Sequence, residues 1–226
     1  MVNYPSLCVD DFYNDPDSVV EFALNCDFSV DTDGRWPGRR TASLNHVNQR
    51  FFHDFVVKVL SLLYDFNYHK ASYTVESTFQ LIEPFAQNYK STQNQGWIHY
   101  DDNAIFAGII YLSKEIGLDH GTSLYKPNSN FNLGYLESTL KTKSDLYLGG
   151  KPKKYRSIFK QHLNMFDKVV TYKSVYNRLI LFDANQYHAA DFLAGADSPR
   201  LTQTFFVQEL TTDAPTPYEK IRSFLV

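Results

Sequence analysis

The feature that most constrains this chain is a switch in hydrophobic period near Ser72. Upstream, Phe51, Phe52, Phe55, Val56, Val59, Leu60 and Leu63 recur at the spacing of one helix face and predict a helix from about residue 47 to residue 64. Downstream, residues 73–75, 78–82, 122–125, 168–172, 178–182 and 201–207 form short runs rich in β-branched and aromatic residues, and read as strands. Residues 104–112 are longer and mostly apolar, as a buried strand would be. A helix with one apolar face needs a large flat partner, which a sheet supplies. Helices first and strands afterwards therefore predict a mainly β chain, a sandwich or barrel with helices on one outer face.

Local signals refine this outline. Asp15-Pro16-Asp17 ahead of Ser18-Val19-Val20-Glu21-Phe22 reads as a capped helix start, with proline at the first helical position. Residues 31–41 are rich in Asp, Gly, Pro and Arg and read as loop. An insert at about 126–165 interrupts the strands. Between Lys126 and Lys160 it carries eight Lys or Arg against two acidic residues, and a helix is expected near residues 155–164. The expectation is one domain over 1–226, with 1–70 supporting a core at 71–226.

Whole-chain properties exclude several classes. The net charge of −3 gives no global field toward nucleic acid or anionic membrane. Two cysteines, Cys8 and Cys26, are too few for a secreted disulfide scaffold and fit no zinc spacing, so both read as free thiols of a reducing, cytoplasmic setting. No basic segment followed by an apolar run opens the chain, and no apolar stretch approaches eighteen residues, so neither a signal peptide nor a membrane span is expected.

The candidate chemistry lies in Trp97-Ile98-His99-Tyr100-Asp101, then His188, then Arg200. Two imidazoles and a carboxylate are the ligand set of non-haem Fe(II) sites that keep positions open. Alone the triplet is weak, because a His-x-Asp arises by chance in about half of chains of this composition. On a strand end, however, His99 and Asp101 would share one face. His188 follows the strand at 178–182 through a turn-like segment. Arg200 and Thr202, at period two on the last strand, also share a side, and a guanidinium facing a barrel interior needs an anion. A dicarboxylate would meet it through paired charge-assisted hydrogen bonds.

The ordered pieces W-I-H-Y-D, A-G-I-I-Y-L-S, G-T-S-L-Y, N-R-L-I-L-F-D-A-N-Q-Y-H and R-L-T-Q-T-F-F resemble the Fe(II)/2-oxoglutarate-dependent dioxygenases, in particular the prolyl-hydroxylase-like branch. The resemblance runs from about Thr78 to Val207. It implies a double-stranded β-helix, or jelly-roll, core with N-terminal helices on one sheet. It implies Fe(II), 2-oxoglutarate as cosubstrate and O2. His99, Asp101 and His188 would be metal ligands, and Arg200, Thr202 and Tyr111 would hold the far 2-oxoglutarate carboxylate. Succinate and CO2 would be co-products. The carboxylate of Asp101 favours hydroxylation, since halogenases of this superfamily replace it with Ala or Gly. Trp36-Pro37-Gly38-Arg39-Arg40-Thr41 is similar to a phage and bacterial branch with no settled substrate, for which the setting would be the host cytoplasm.

The resemblance also has gaps. His120-Gly121 stands where many members have Gly-Gly, and the basic insert is outside the common core. A small-molecule, amino-acid or peptidyl substrate is expected. A nucleic-acid-directed oxygenase, suggested by the insert, and a non-catalytic metal-binding module remain alternatives. Arg35, Trp36, Arg39 and Arg40 could line a substrate entrance, but a solvated loop is the favoured reading. The insert likewise reads as a solvated charged face. His46, His53, His69, His120 and His162 read as non-ligands, with His120 alone near the barrel mouth.

Overall fold

The computed structural model describes residues 5–195 and 198–214. In chain order the elements are β1 (Ser6–Val9), α1 (Pro16–Leu24), β2 (Phe28–Val30), β3 (Arg39–Thr41), α2 (Leu44–Val47), α3 (Gln49–Ser61) and β4 (Ala71–Ile82). They continue with β5 (Phe106–Tyr111), β6 (Thr122–Pro127), α4 (Leu133–Tyr147), α5 (Tyr155–Leu163), β7 (Phe166–Tyr172), β8 (Leu179–Asp183), β9 (His188–Ala190) and β10 (Arg200–Thr212).

The strands form two antiparallel sheets. The larger runs β1-β8-β5-β10-β4-β3-β2, and the smaller runs β7-β6-β9. A bridge between His99 and His188 extends the smaller sheet beyond β9. From β4 onward the chain passes repeatedly from one sheet to the other, which is the jelly-roll arrangement the sequence resemblance implied.

Period-two alternation divides the large sheet into two faces. Phe106, Ile110, Leu179, Leu181, Leu201 and Phe205 face the helices, where they meet Phe52, Phe55, Val56, Val59 and Leu60 of α3. Ala107, Tyr111, Ile180 and Phe182 face the other way and pack with Leu124 of the small sheet. Burying a side chain such as Phe55 or Leu60 contributes about 1.5–3 kcal/mol, so α3 is fixed by its apolar face. Its start is fixed by Asn48, whose side chain accepts from the Phe51 N–H at 3.0 Å.

Several sequence expectations are corrected here. The helix expected over 47–64 is α3, which starts two residues later and ends at Ser61, and a separate short helix, α2, precedes it across the extended backbone of Asn48 (φ −154°). The strands expected at 73–75 and 78–82 are one strand, β4, paired along its length with β10. The loop at 31–41 ends in β3, a short strand between β4 and the edge strand β2. The short β1, paired with β8, gave no sequence signal. The insert holds α4 as well as the expected helix, which is α5. Cys8 and Cys26 are free thiols, and among the described residues no helix is long and apolar enough to cross a membrane.

Candidate functional site

His99, Asp101 and His188 converge between the sheets, one potential ligand atom from each lying within 4.8 Å of the others. Two backbone pairings bring them together. The His99 N–H donates to the His188 carbonyl at 3.0 Å, and the His188 N–H returns to the His99 carbonyl at 2.8 Å. Asp101 is not in a strand. Its N–H donates to the Ala184 carbonyl at 2.8 Å, so the turn after β8 that delivers His188 also pins Asp101.

The imidazoles have their tautomers set by neighbours. His99 Nδ1 lies 2.8 Å from the Trp97 carbonyl, and His188 Nδ1 lies 2.8 Å from the Gln186 carbonyl. A carbonyl only accepts, so both Nδ1 atoms carry the proton and both Nε2 lone pairs are bare. A hydrogen bond from the far ring nitrogen to a backbone carbonyl holds each imidazole in the orientation a metal ligand needs. The Nε2 atoms face the Asp101 carboxylate, at 3.9 Å from His99 and 3.4 Å from His188. Donors about 2.1 Å from one first-row ion and at right angles lie about 3 Å apart, so the set fits such an ion with little adjustment. Asp101 Oδ2 is buried with no hydrogen bond.

Electrostatics favour the ligating form of His99. Nearly half of the His99 side chain is reached from the cavity, yet the enclosing walls hold its imidazole well below its usual pKa, with the charges of His188, Lys143 and Arg40 adding to that effect. Burial raises the Asp101 carboxyl, and His188, Arg40 and Lys143 oppose the rise. An added cation would relieve that penalty.

The triad opens into a cavity of about 600 Å³. At its inner end stands Arg200, on the first residue of β10 and only 3% exposed. Burial lowers its pKa, its guanidinium lies 5.6 Å over the Tyr111 ring, and its Nε and Nη2 have no hydrogen-bond partner. A buried guanidinium with two unmet nitrogens and no carboxylate paired to it is strongly unfavourable, so the geometry suits an anionic guest. Tyr111 and Thr202 sit opposite each other in the β5–β10 register but outside the cavity lining. The Tyr111 hydroxyl donates to Thr122 Oγ1 at 2.9 Å, and Thr122 does line the cavity. Thr202 Oγ1 is buried without a partner.

The open end departs from the sequence reading. Arg35, Trp36 and Arg40 line the cavity instead of forming a solvated loop, whereas Arg39 turns away to Glu83 at 2.9 Å. Lys143 of α4 lines it too, so the insert is not merely a charged outer face. Loop and insert meet closely. Gly34 has φ +64°, and a Cβ there would lie 2.6 Å from the Ser144 carbonyl oxygen, so only glycine lets the loop seat on α4. His162, not His120, reaches the cavity. Its Nε2 accepts from the Ile98 N–H at 3.0 Å, which ties α5 to the residue before His99, and burial pulls its pKa down to about 4. His120 is buried between the carbonyls of Gly117 and Ala194.

Solved structures share this fold. HygX from Streptomyces hygroscopicus, with nickel and 2-oxoglutarate bound, superposes with a TM-score of 0.54 at 13% identity over 90% of this chain and 83% of its own. A prolyl hydroxylase from Trichoplax adhaerens, in complex with a hypoxia inducible factor oxygen degradation domain peptide fragment, gives 0.52 at 12% identity, with the same coverage. SnoN, a non-heme alpha ketoglutarate dependent epimerase from nogalamycin biosynthesis, gives 0.51 at 12% identity over 92% of this chain and 78% of its own. At these identities the likeness establishes the fold. Among curated proteins no sequence matches. The sequence model of a family of unknown function, DUF6445, matches residues 2–207, and the chain belongs to that family.

Proposed function

We propose that the protein is an Fe(II)- and 2-oxoglutarate-dependent oxygenase that hydroxylates an unactivated C–H of a small-molecule, amino-acid or peptidyl substrate. One observation carries the reading. Two imidazoles with bare Nε2 atoms and one unsatisfied carboxylate converge in the same cavity as a buried guanidinium without a counter-ion. Fe(II) and 2-oxoglutarate, when bound, supply the activation of dioxygen and give succinate and CO2 as co-products.

The chain's own residues would do the rest. His99, Asp101 and His188 hold the metal on one side and leave the cavity side free. Arg200 pairs with the far carboxylate of 2-oxoglutarate and fixes its direction, with Tyr111 beneath the guanidinium and Thr202 beside it on β10. Phe182, Ala107 and Ile109 line the cavity with apolar surface that limits water at the reacting centre. A cavity of about 600 Å³ suits a substrate of amino-acid size or larger.

Purified protein supplied with Fe(II) and 2-oxoglutarate should form succinate slowly even without substrate. His99→Ala should abolish this turnover, and unchanged succinate formation in that variant would refute the assignment.

A further inference from the structure

The open end of the cavity holds polar groups that neither the metal nor the cosubstrate uses. Arg40 stands on the short strand β3, with its guanidinium 4.5 Å from the centroid of the Trp36 ring and 5.8 Å from that of Phe206. Its Nε is buried and unpartnered, and so is Trp36 Nε1. Lys143 enters from α4, with its Nζ 6.0 Å from the ring centroid of Tyr147 one turn on. Among the described residues, neither side chain makes a hydrogen bond or an ion pair. Asp31, which could answer Arg40, is held by Arg35 at 2.9 Å.

Three properties define what could fill this place. First, each of these unpartnered groups is a donor, so the missing group is an acceptor. Second, two are cationic and half-buried, while the acidic residues of the same cavity other than Asp101 of the triad, namely Glu76, Asp102 and Glu137, are on its exposed rim. A half-buried unpaired cation demands a counter-charge more strongly than a solvated carboxylate does. Third, the fields of Arg40 and Lys143 reach His99 and Asp101, whereas Arg200 senses Tyr111 and Asp191. The two cationic poles are separate, for Arg200 opens β10 and Arg40 stands on β3, with β4 between those strands.

We propose that the substrate carries a carboxylate or phosphate group held by Arg40 and Lys143 at the open end while its reacting carbon lies over the triad. This rests on the oxygenase reading for the words "reacting carbon", but the anion pocket itself does not. Arg40 offers a fork to two oxygens, Lys143 a point charge, and Trp36 one further donor. The rings of Trp36, Tyr147 and Phe206 would pack on the apolar body that links anion to reacting carbon.

The test uses the full chain loaded with Mn(II) and 2-oxoglutarate without oxygen, so that the inner pole is already filled. Calorimetric titrations compare 3-phenylpropionate, phenyl phosphate and the neutral 3-phenylpropanamide. At least one anion should bind at least tenfold more tightly than the amide, and the stronger anion decides between carboxylate and phosphate. Arg40→Gln and Lys143→Gln should each weaken that anion about tenfold, or about 1.4 kcal/mol, and leave the 2-oxoglutarate affinity unchanged. Arg40→Lys, which keeps the charge, should lose less and controls for folding. Equal binding of the amide, no anion binding below about 10 mM, or anion binding indifferent to both Gln variants would overturn the proposal. Anion binding that depends on Arg40 and Lys143, in protein that takes up neither Mn(II) nor 2-oxoglutarate, would sink the oxygenase reading and leave the pocket standing.

Discussion

At the inner end of the cavity the charged group stands on a strand of thirteen residues; at the open end the charges come from a three-residue strand, the loop before it and a helix of the insert. Arg200 is held by β10, which pairs with β4 on one side and β5 on the other. Arg40 and Lys143 belong to segments that touch where Gly34 meets Ser144. The difference separates two tasks. A group on a long strand in the middle of the sheet suits a cosubstrate that never changes, whereas short strands, loops and inserts at the margin of a constant scaffold are where specificity is set.

The largest expected effect tests the inner end alone. Arg200→Leu should weaken 2-oxoglutarate binding by about 2–4 kcal/mol, or roughly thirtyfold to a thousandfold, with little change in metal affinity. Without ligand, the same variant should be more stable, with a rise of a few degrees in melting temperature, because it removes a buried charge that has no partner. Loss of metal binding in this variant would mean the inner end and the triad are not separable.

The next concerns the support between the two ends. His162 is 1% exposed and its neutral Nε2 accepts from Ile98 N–H. With a folded pKa near 4 against about 6.5 unfolded, it contributes stability above the unfolded value that is lost as pH falls through the folded one. The loss between those limits is on the order of 3 kcal/mol. Denaturant titrations from pH 7 down to 4 should show it, and His162→Gln, which keeps an acceptor without titrating, should flatten that part of the profile. An unchanged slope would remove His162 from the account.

The smallest effect belongs to the open end. Gly34→Val must strain a backbone at φ +64° and push the loop from α4. It should cost about 1–3 kcal/mol of stability and weaken binding of the open-end anion severalfold. Metal and 2-oxoglutarate affinities should hold. Equal loss at both ends would show that the cavity is one unit, not two.

The same contrast explains what could be read from the sequence. The sheets were legible because β5, β8 and β10 are runs rich in apolar, β-branched and aromatic residues, and because Arg200 and Thr202, two residues apart on a strand, share one face. The triad was legible through the spacing of His99 and Asp101 and the order of His188 behind a strand. The open end carried no such pattern. Arg40 lies in a run of Asp, Gly, Pro and Arg that reads as loop, and only its pairing with β4 turns it inward. α4 leaves Leu133 and Leu140 exposed, so its apolar pattern is too weak to show that Lys143 points to the cavity. α2 gave no signal of its own because four residues are too short to show a period, and the side-chain cap at Asn48 sets where α3 begins.

The measurement closest to the central claim is a calorimetric titration of 2-oxoglutarate, without oxygen, into protein with and without Mn(II), repeated with His99→Ala. If the triad holds a metal and Arg200 the far carboxylate, wild-type protein should bind one equivalent tightly only when Mn(II) is present. His99→Ala should fall to the weak metal-free affinity. Binding that is the same with and without metal, or unchanged in His99→Ala, would contradict a joint metal and 2-oxoglutarate site.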